Sequence, residues 1–250
     1  MWYDYEYMNK PIKLNKNDYN EIYFASDFHY NHQRDFIWTP RGFNTYQEHD
    51  KFLEDQCKSL TEKDLLIYLG DYSLNTTDEQ TSNLLHKTKA QIFYVFGNHE
   101  GYHSRFYRNS LEKFWGGKPN FQIFPFSVDK TTNVGQPGIP FPKGKYCNEI
   151  TYFGEEAYFQ IGNNFYFCRH MAPIIWDKMK YVNYVALCGH SHGNLIAAQH
   201  NITNQGKILD VGVDTAIKVN GSAFLTINEV DNILNKKKIV IHDHHGDDHV

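Results

Sequence analysis

The 250-residue chain has no run of 18 apolar residues, and its start, Met1-Trp-Tyr-Asp-Tyr-Glu-Tyr7, lacks the basic and apolar regions of a secretory signal. These absences argue against a membrane partner and for a cytoplasmic protein. Cysteine is scarce. Cys57, Cys147, Cys168 and Cys188 form no Cys-x-x-Cys pair, which fits reduced, packed thiols rather than disulfides or a zinc knuckle. Excess charge is missing as well. Lys and Arg number 25 against 29 Asp and Glu, and the stretch from Ile241 onward holds three Asp and no basic residue. The body therefore carries 25 − 26 = −1, too little for a non-specific nucleic-acid binder. Low-complexity sequence is absent too, and 41% hydrophobic with 16% aromatic residues is enough to build a core.

Apolar runs recur at 21–26, 64–69, 91–96, 164–168, 182–188 and 207–213, each followed by a turn bearing Gly or Asp. They read as strands. Helix-like patterns occupy 46–58 and 77–89, the second opening on Thr-Thr-Asp-Glu, and a last helix is expected at 228–234 before Lys236-Lys-Lys. Strand and helix thus alternate through the first hundred residues, the pattern of an α/β fold whose parallel strands present their C-terminal ends along one edge. Residues 157–161 and 165–168 flank Gly162-Asn-Asn, a hairpin signal. Residues 116–144 show no period and read as an inserted loop. One domain is expected over 1–240, with an acidic, His-rich tail at 241–250 that stays out of the site.

The strand ends carry the unusual chemistry. The first ends in Asp27-Phe-His29, the second in Gly70-Asp71, and the third in Gly97-Asn-His-Glu100. Later strands end in His170 and in Gly189-His-Ser-His-Gly193. A Gly-Asp pair alone is an ordinary turn. Five such ends in one fold bring together more polar groups than a core has use for. Oxygen and imidazole donors without thiolate suit manganese first, with iron, zinc or nickel as alternatives. Seven ligands are too many for one tetrahedral ion. They fit two five- or six-coordinate ions about 3.5–4 Å apart that share a carboxylate and a hydroxide, which is a binuclear hydrolytic centre.

In this order the motifs resemble the calcineurin-like metallophosphoesterase superfamily, and the stretches 25–32 and 210–214, with Gly189-His-Ser-His-Gly193, are most similar to its small bacterial and phage-type members. The resemblance implies a four-layer α/β/β/α sandwich of two packed mixed sheets with flanking helices. It implies that Asp27, His29, Asp71 and His192 hold one divalent ion and that Asp71, Asn98, His170 and His190 hold the second. Asp71 is then the bridge, and His99 is a catalytic proton donor or phosphate contact and not a ligand. Two departures stand out: Glu100 where Asp is usual, and one extra residue between His170 and Pro173. Five arginines exist, at 34, 41, 105, 108 and 169, each beside a motif. Because guanidinium binds phosphate bidentately, Arg41 and Arg105 are expected to contact substrate, as is His32. The expected activity is phosphodiesterase or phosphatase action on a small nucleotide-like phosphoester by attack of the metal-bridging hydroxide. The rivals are a nuclease on single-stranded or nicked nucleic acid, and a non-enzymatic interaction module on the same fold.

Overall fold

The computed structural model describes residues 11–76, 85, 87–99, 139–140, 150–194 and 206–240. Eleven strands are described: β1 Ile12–Leu14, β2 Ile22–Ala25, β3 Leu65–Tyr68, β4 Gln91–Val95, β5 Ile139–Pro140, β6 Ile150–Gly154, β7 Glu156–Ile161, β8 Asn164–Arg169, β9 Tyr184–Cys188, β10 Ile208–Asp210 and β11 Leu225–Thr226. Four α-helices lie among the described residues: α1 Asp35–Trp38, α2 Tyr46–Ser59, α3 Val213–Asn220 and α4 Ile227–Asn235. One sheet runs β11-β2-β3-β4-β6-β5 and the other β1-β7-β8-β9-β10. Both are mixed: β2, β3, β4 and β6 are parallel, with β11 and β5 antiparallel at the edges. In the second sheet, β8, β9 and β10 are parallel and β7 is antiparallel to β8. This is the expected sandwich of two mixed sheets with flanking helices.

The alternation of side chains along β3 shows how the layers form. Leu65 and Ile67 enter the core between the sheets with Phe24, Phe93, Phe159, Tyr166 and Leu187. Leu66 and Tyr68 point the other way, into a second core with Leu53 and Cys57 of α2. All four residues of β3 are buried, as a central strand covered on both faces requires. Helix α2 starts where Thr45 accepts a hydrogen bond from the Glu48 N–H at 3.2 Å, and it buries His49, Leu53 and Cys57 at fourfold spacing. The hairpin turns at Gly162, whose φ is 61°. Among the described residues, no helix is long and apolar enough to cross a membrane.

One expected element needs correction. The strand expected through residue 213 stops at Asp210, and Val213 opens α3. Asp210 accepts from the Gly212 N–H at 2.8 Å, closing a turn that the alternating Val211 and Val213 disguise as strand. Most of the helix expected at 77–89, most of the 116–144 insertion, and the 241–250 tail lie outside the described residues; 139–140, within that insertion, form β5.

Candidate metal centre

Where β2 and β3 end, their chains continue side by side: the Asp27 N–H donates to Gly70 O at 2.9 Å and the His29 N–H to Asp71 O at 3.0 Å. Both chains then bend through left-handed conformations, with φ of 60° at Asp27, 49° at His29 and 58° at Asp71. His190 (68°) and His192 (48°) do the same after β9. Non-glycine residues rarely adopt such φ, and each costs on the order of 1–3 kcal/mol, so strain is concentrated at the strand ends. The motif glycines are explained by close approach. A Cβ at Gly97 would fall on Asp71 Oδ1, and one at Gly189 on Ser26 Oγ and Asp27 Oδ2.

Two donor groups result: Asp27, His29 and His192, and Asp71, His170 and His190, each with ligand atoms within 4.8 Å of one another. They interleave. His29 Nε2 is 3.8 Å from Asp27 Oδ1 and 3.7 Å from Asp71 Oδ2; His170 Nε2 is 3.3 Å from Asp71 Oδ2 and 4.0 Å from Asp27 Oδ1. His192 Nε2 is 3.9 Å from Asp27 Oδ1, and Asn98 Oδ1 is 3.0 Å from His170 Nε2. All seven residues read as ligands from sequence are therefore brought to one place.

Electrostatics and burial fit a cation. Burial alone would push the Asp27 and Asp71 carboxyls up. At Asp27 the neighbouring imidazoles His29, His170 and His192 outweigh that, and at Asp71 the His170 hydrogen bond does, holding it at about 2. Burial lowers the His29 pKa, and among the described residues neither ring nitrogen of this buried side chain has a hydrogen-bond partner. At 3.7–3.8 Å the two carboxylates are too far to accept a hydrogen bond from Nε2, and, being acceptors, they offer nothing to a lone pair there. Ligands each about 2.0–2.2 Å from one ion, however, lie roughly 3–4 Å apart, as these do. His170 donates from Nδ1 to Leu69 O at 2.6 Å, which leaves Nε2 for an ion. The residues present fit two divalent cations.

His99 is placed beside the ligands but not among them: its N–H donates to Asp71 Oδ1 at 2.8 Å, and its exposed ring lies 5.7 Å from that of His29. His32 is buried, edge-on to His29 at 5.6 Å, with Nδ1 accepting from the Arg34 N–H. Burial and then the charge of His29 lower its pKa to about 4, so the ring is neutral.

Arg41 requires correction. It is 5% exposed, and its guanidinium binds Asp27 O, Phe28 O, His49 and Asp214, so it is closed to a substrate phosphate. A partner carboxylate 173 residues away captured the group that sequence placement assigned to phosphate. Arg105 lies outside the described residues, as does Glu100.

Sequence reasoning missed three residues. His49 and Asp50 sit on the buried face of α2, and Asp214 accepts from His192 Nδ1 at 3.2 Å. Burial lowers the His49 pKa and keeps the ring neutral. The signal for the first two was a His-Asp pair in register with Leu53 and Cys57. For Asp214 it was the Asp210-Val-Gly-Val-Asp214 segment, whose first carboxylate ties down Gly193 and Gly212.

Two mixed sheets, with carboxylates and imidazoles gathered at their strand ends, give this fold a candidate metal centre. The family model described as calcineurin-like phosphoesterase matches residues 21–249, nearly the whole chain, and the chain belongs to that family. Membership implies metal-dependent phosphoester hydrolysis. The uncharacterized protein MJ1445 of Methanocaldococcus jannaschii is 28% identical over 88 residues, 34% of this chain and 50% of that protein, so the match spans about half of the relative's length. The crystal structure of AQ665 from Aquifex aeolicus, a protein of unknown function, shares the fold: TM-score 0.51 at 16% identity, over 85% of this chain and 98% of that one.

Proposed function

We propose that the chain is a two-metal phosphoester hydrolase acting on a small, nucleotide-like phosphodiester or phosphomonoester. The observation that carries this reading is the position of Asp71 Oδ2, which faces His170 Nε2 at 3.3 Å and His29 Nε2 at 3.7 Å, so one carboxylate oxygen serves both donor groups. Asp27, His29, Asp71 and His192 would hold one cation, and Asp71, Asn98, His170 and His190 the other. Two such ions, manganese first, supply a hydroxide nucleophile near neutral pH and neutralise charge building on the phosphoryl oxygens.

The remaining work falls to the protein. Its strained strand ends preset the donors before any ion arrives. Leu69 O and Asp214 fix the tautomers of His170 and His192 so that each Nε2 lone pair faces inward. His99 holds a proton for the departing oxygen, because its main chain is pinned by Asp71 while its ring stays exposed above His29. His32 keeps Nε2 as the atom a substrate contact would use. A body charge of −1 favours a small substrate over a duplex.

The test is a panel assayed with manganese: a nitrophenyl diester and monoester, cyclic mono- and dinucleotides, and single-stranded DNA. Hydrolysis of a nitrophenyl or nucleotide ester that is abolished by chelator and restored by metal is the expected result. Turnover of single-stranded DNA alone would make the protein a nuclease. Stoichiometric metal without turnover of any member would make it an interaction module.

A further inference from the structure

We propose that Arg41 is a positioning residue that braces one of the two cation positions, that of Asp27, His29 and His192, while the other is held by different means; the proposal rests on the two-metal reading above. Four of its five N–H donors are placed by their partners, while Nε has none among the described residues. Nη1 lies 3.2 Å from Phe28 O and 2.7 Å from His49 Nε2; Nη2 lies 2.8 Å from Asp27 O and 2.7 Å from Asp214 Oδ2. Each nitrogen carries two protons, so these contacts use all four.

The protons of the neighbouring imidazoles follow from these contacts. His49 must accept at Nε2, so its proton is on Nδ1, which faces Asp50 Oδ1 at 3.3 Å. Nη2 has no proton left for His192 Nδ1, 3.2 Å away. His192 Nδ1 is therefore itself protonated and donates to Asp214 Oδ2 at 3.2 Å, which presents the Nε2 lone pair toward Asp27. Removing Arg41 leaves Asp214 an uncompensated buried carboxylate and frees His192 to turn or change tautomer.

A second effect acts on the main chain. The same fork holds the carbonyls of Asp27 and Phe28, consecutive residues at a turn where Asp27 has φ of 60°. It resists relaxation of the strained ligand. Arg41 makes no contact with Asp71, His170 or His190 among the described residues. His170 is oriented by Leu69 O, which no side-chain substitution removes. Loss of Arg41 should therefore weaken one cation position selectively, an outcome that general destabilisation would not give.

The experiment is calorimetric titration of the metal-free full chain with manganese, paired with electron paramagnetic resonance of the coupled ions. The parent should take up two ions. Arg41→Gln should weaken one of them about 10–100-fold and leave the other unchanged, and a coupled spectrum should give way to that of a single ion. Asp214→Asn should weaken the same position. Low-millimolar guanidinium added to Arg41→Ala should restore it, whereas urea at the same concentration should not. Equal weakening of both positions, or no change in either variant, overturns the proposal and leaves the two-metal reading standing. A parent that takes up no ion overturns both. If Arg41→Gln folds poorly, Asp214→Asn, which keeps side-chain volume, decides the matter alone.

Discussion

His192 and His170 stand on either side of the paired carboxylates, and each is oriented through Nδ1, but the partners differ in kind. For His192 the partner is the Asp214 carboxylate, joined through Arg41 to His49 and so to α2. For His170 it is the Leu69 carbonyl, at the end of β3. The two sides also differ in exposure: Asp27 and His29 are buried and His192 is partly so, whereas His190 and Asn98 are exposed beside buried Asp71 and His170. One position is thus enclosed and braced by long-range side-chain contacts. The other rests on a main-chain carbonyl and opens to solvent. Preorganisation and access are separated between the two halves of one centre.

The harshest way to break this comparison is to remove what the halves share. Asp71→Asn takes the anionic ligand from both positions, so hydrolysis should fall below detection and metal content should drop from two ions. Metal analysis and the nitrophenyl assay check it; two tightly held ions with full turnover would show that the halves are independent. His99→Ala removes a ligand from neither half, since its ring lies beside His29 without joining the donors. A positioned general acid typically contributes about 10²–10⁴-fold, and its share depends on how much the leaving oxygen needs a proton. Hydrolysis of a nucleoside or alkyl ester should fall by that range with metal retained, and a nitrophenyl ester should be slowed far less. Equal slowing of both substrates would make His99 a phosphate contact.

Protons give a milder probe of the same two sides. Burial opposes the charge on His170, but its hydrogen bond to Asp71 and the carboxylate charges prevail and raise its pKa to about 9; burial leaves His29 with a lowered one. The raised pKa of His170 stabilises the metal-free fold fully below about pH 6.5, and this contribution is lost as pH rises from there through about 9. Metal must displace that proton. Manganese affinity on the Asp71 side should therefore fall roughly tenfold per pH unit below 9, with a proton released to buffer at pH 7.5. Titrations in Mops and Tris, which differ in ionisation enthalpy, measure the release. Identical heats in the two buffers would mean that His170 binds its ion without giving up a proton.

How far the sequence discloses this site differs along the same divide. Local information was enough for the strand ends: Asp27-x-His29, Gly70-Asp71, Asn98, His170 and His190-x-His192 each follow an apolar run, and parallel register brings them together. The brace was hidden because its parts are distant. Arg41 meets Asp214 across 173 residues, and no local pattern tells a guanidinium whether its anion will be a substrate phosphate or a carboxylate of its own chain. Helix α3 was hidden by alternation at Val211 and Val213, although Gly221, left-handed at φ 74°, marks its end.

The smallest expected effect tests whether bracing of the Asp27 side is separate from the stability of the fold around it. Helix α4 begins with a reciprocal cap: Thr226 Oγ1 accepts from the Glu229 N–H at 3.2 Å, and Glu229 Oε2 accepts from the Thr226 N–H at 2.8 Å. The cap anchors a helix whose Ile227, Val230 and Leu234 fill the core between the sheets. Thr226 also pairs with Tyr23 of β2, the strand that leads to Asp27, so this scaffold contact lies on the braced side. Thr226→Ala should lower stability by about 1 kcal/mol, a fall of roughly 2–4 °C in Tm for a chain of this size. It leaves the Arg41 donors and every ligand in place, so both manganese affinities should stay unchanged. Thermal unfolding of metal-free protein and calorimetric titration read the two quantities separately. If manganese binding on the Asp27 side weakened together with Tm, that position would be sensing the rigidity of β2 and β11, and a selective loss in Arg41→Gln could no longer be ascribed to the guanidinium.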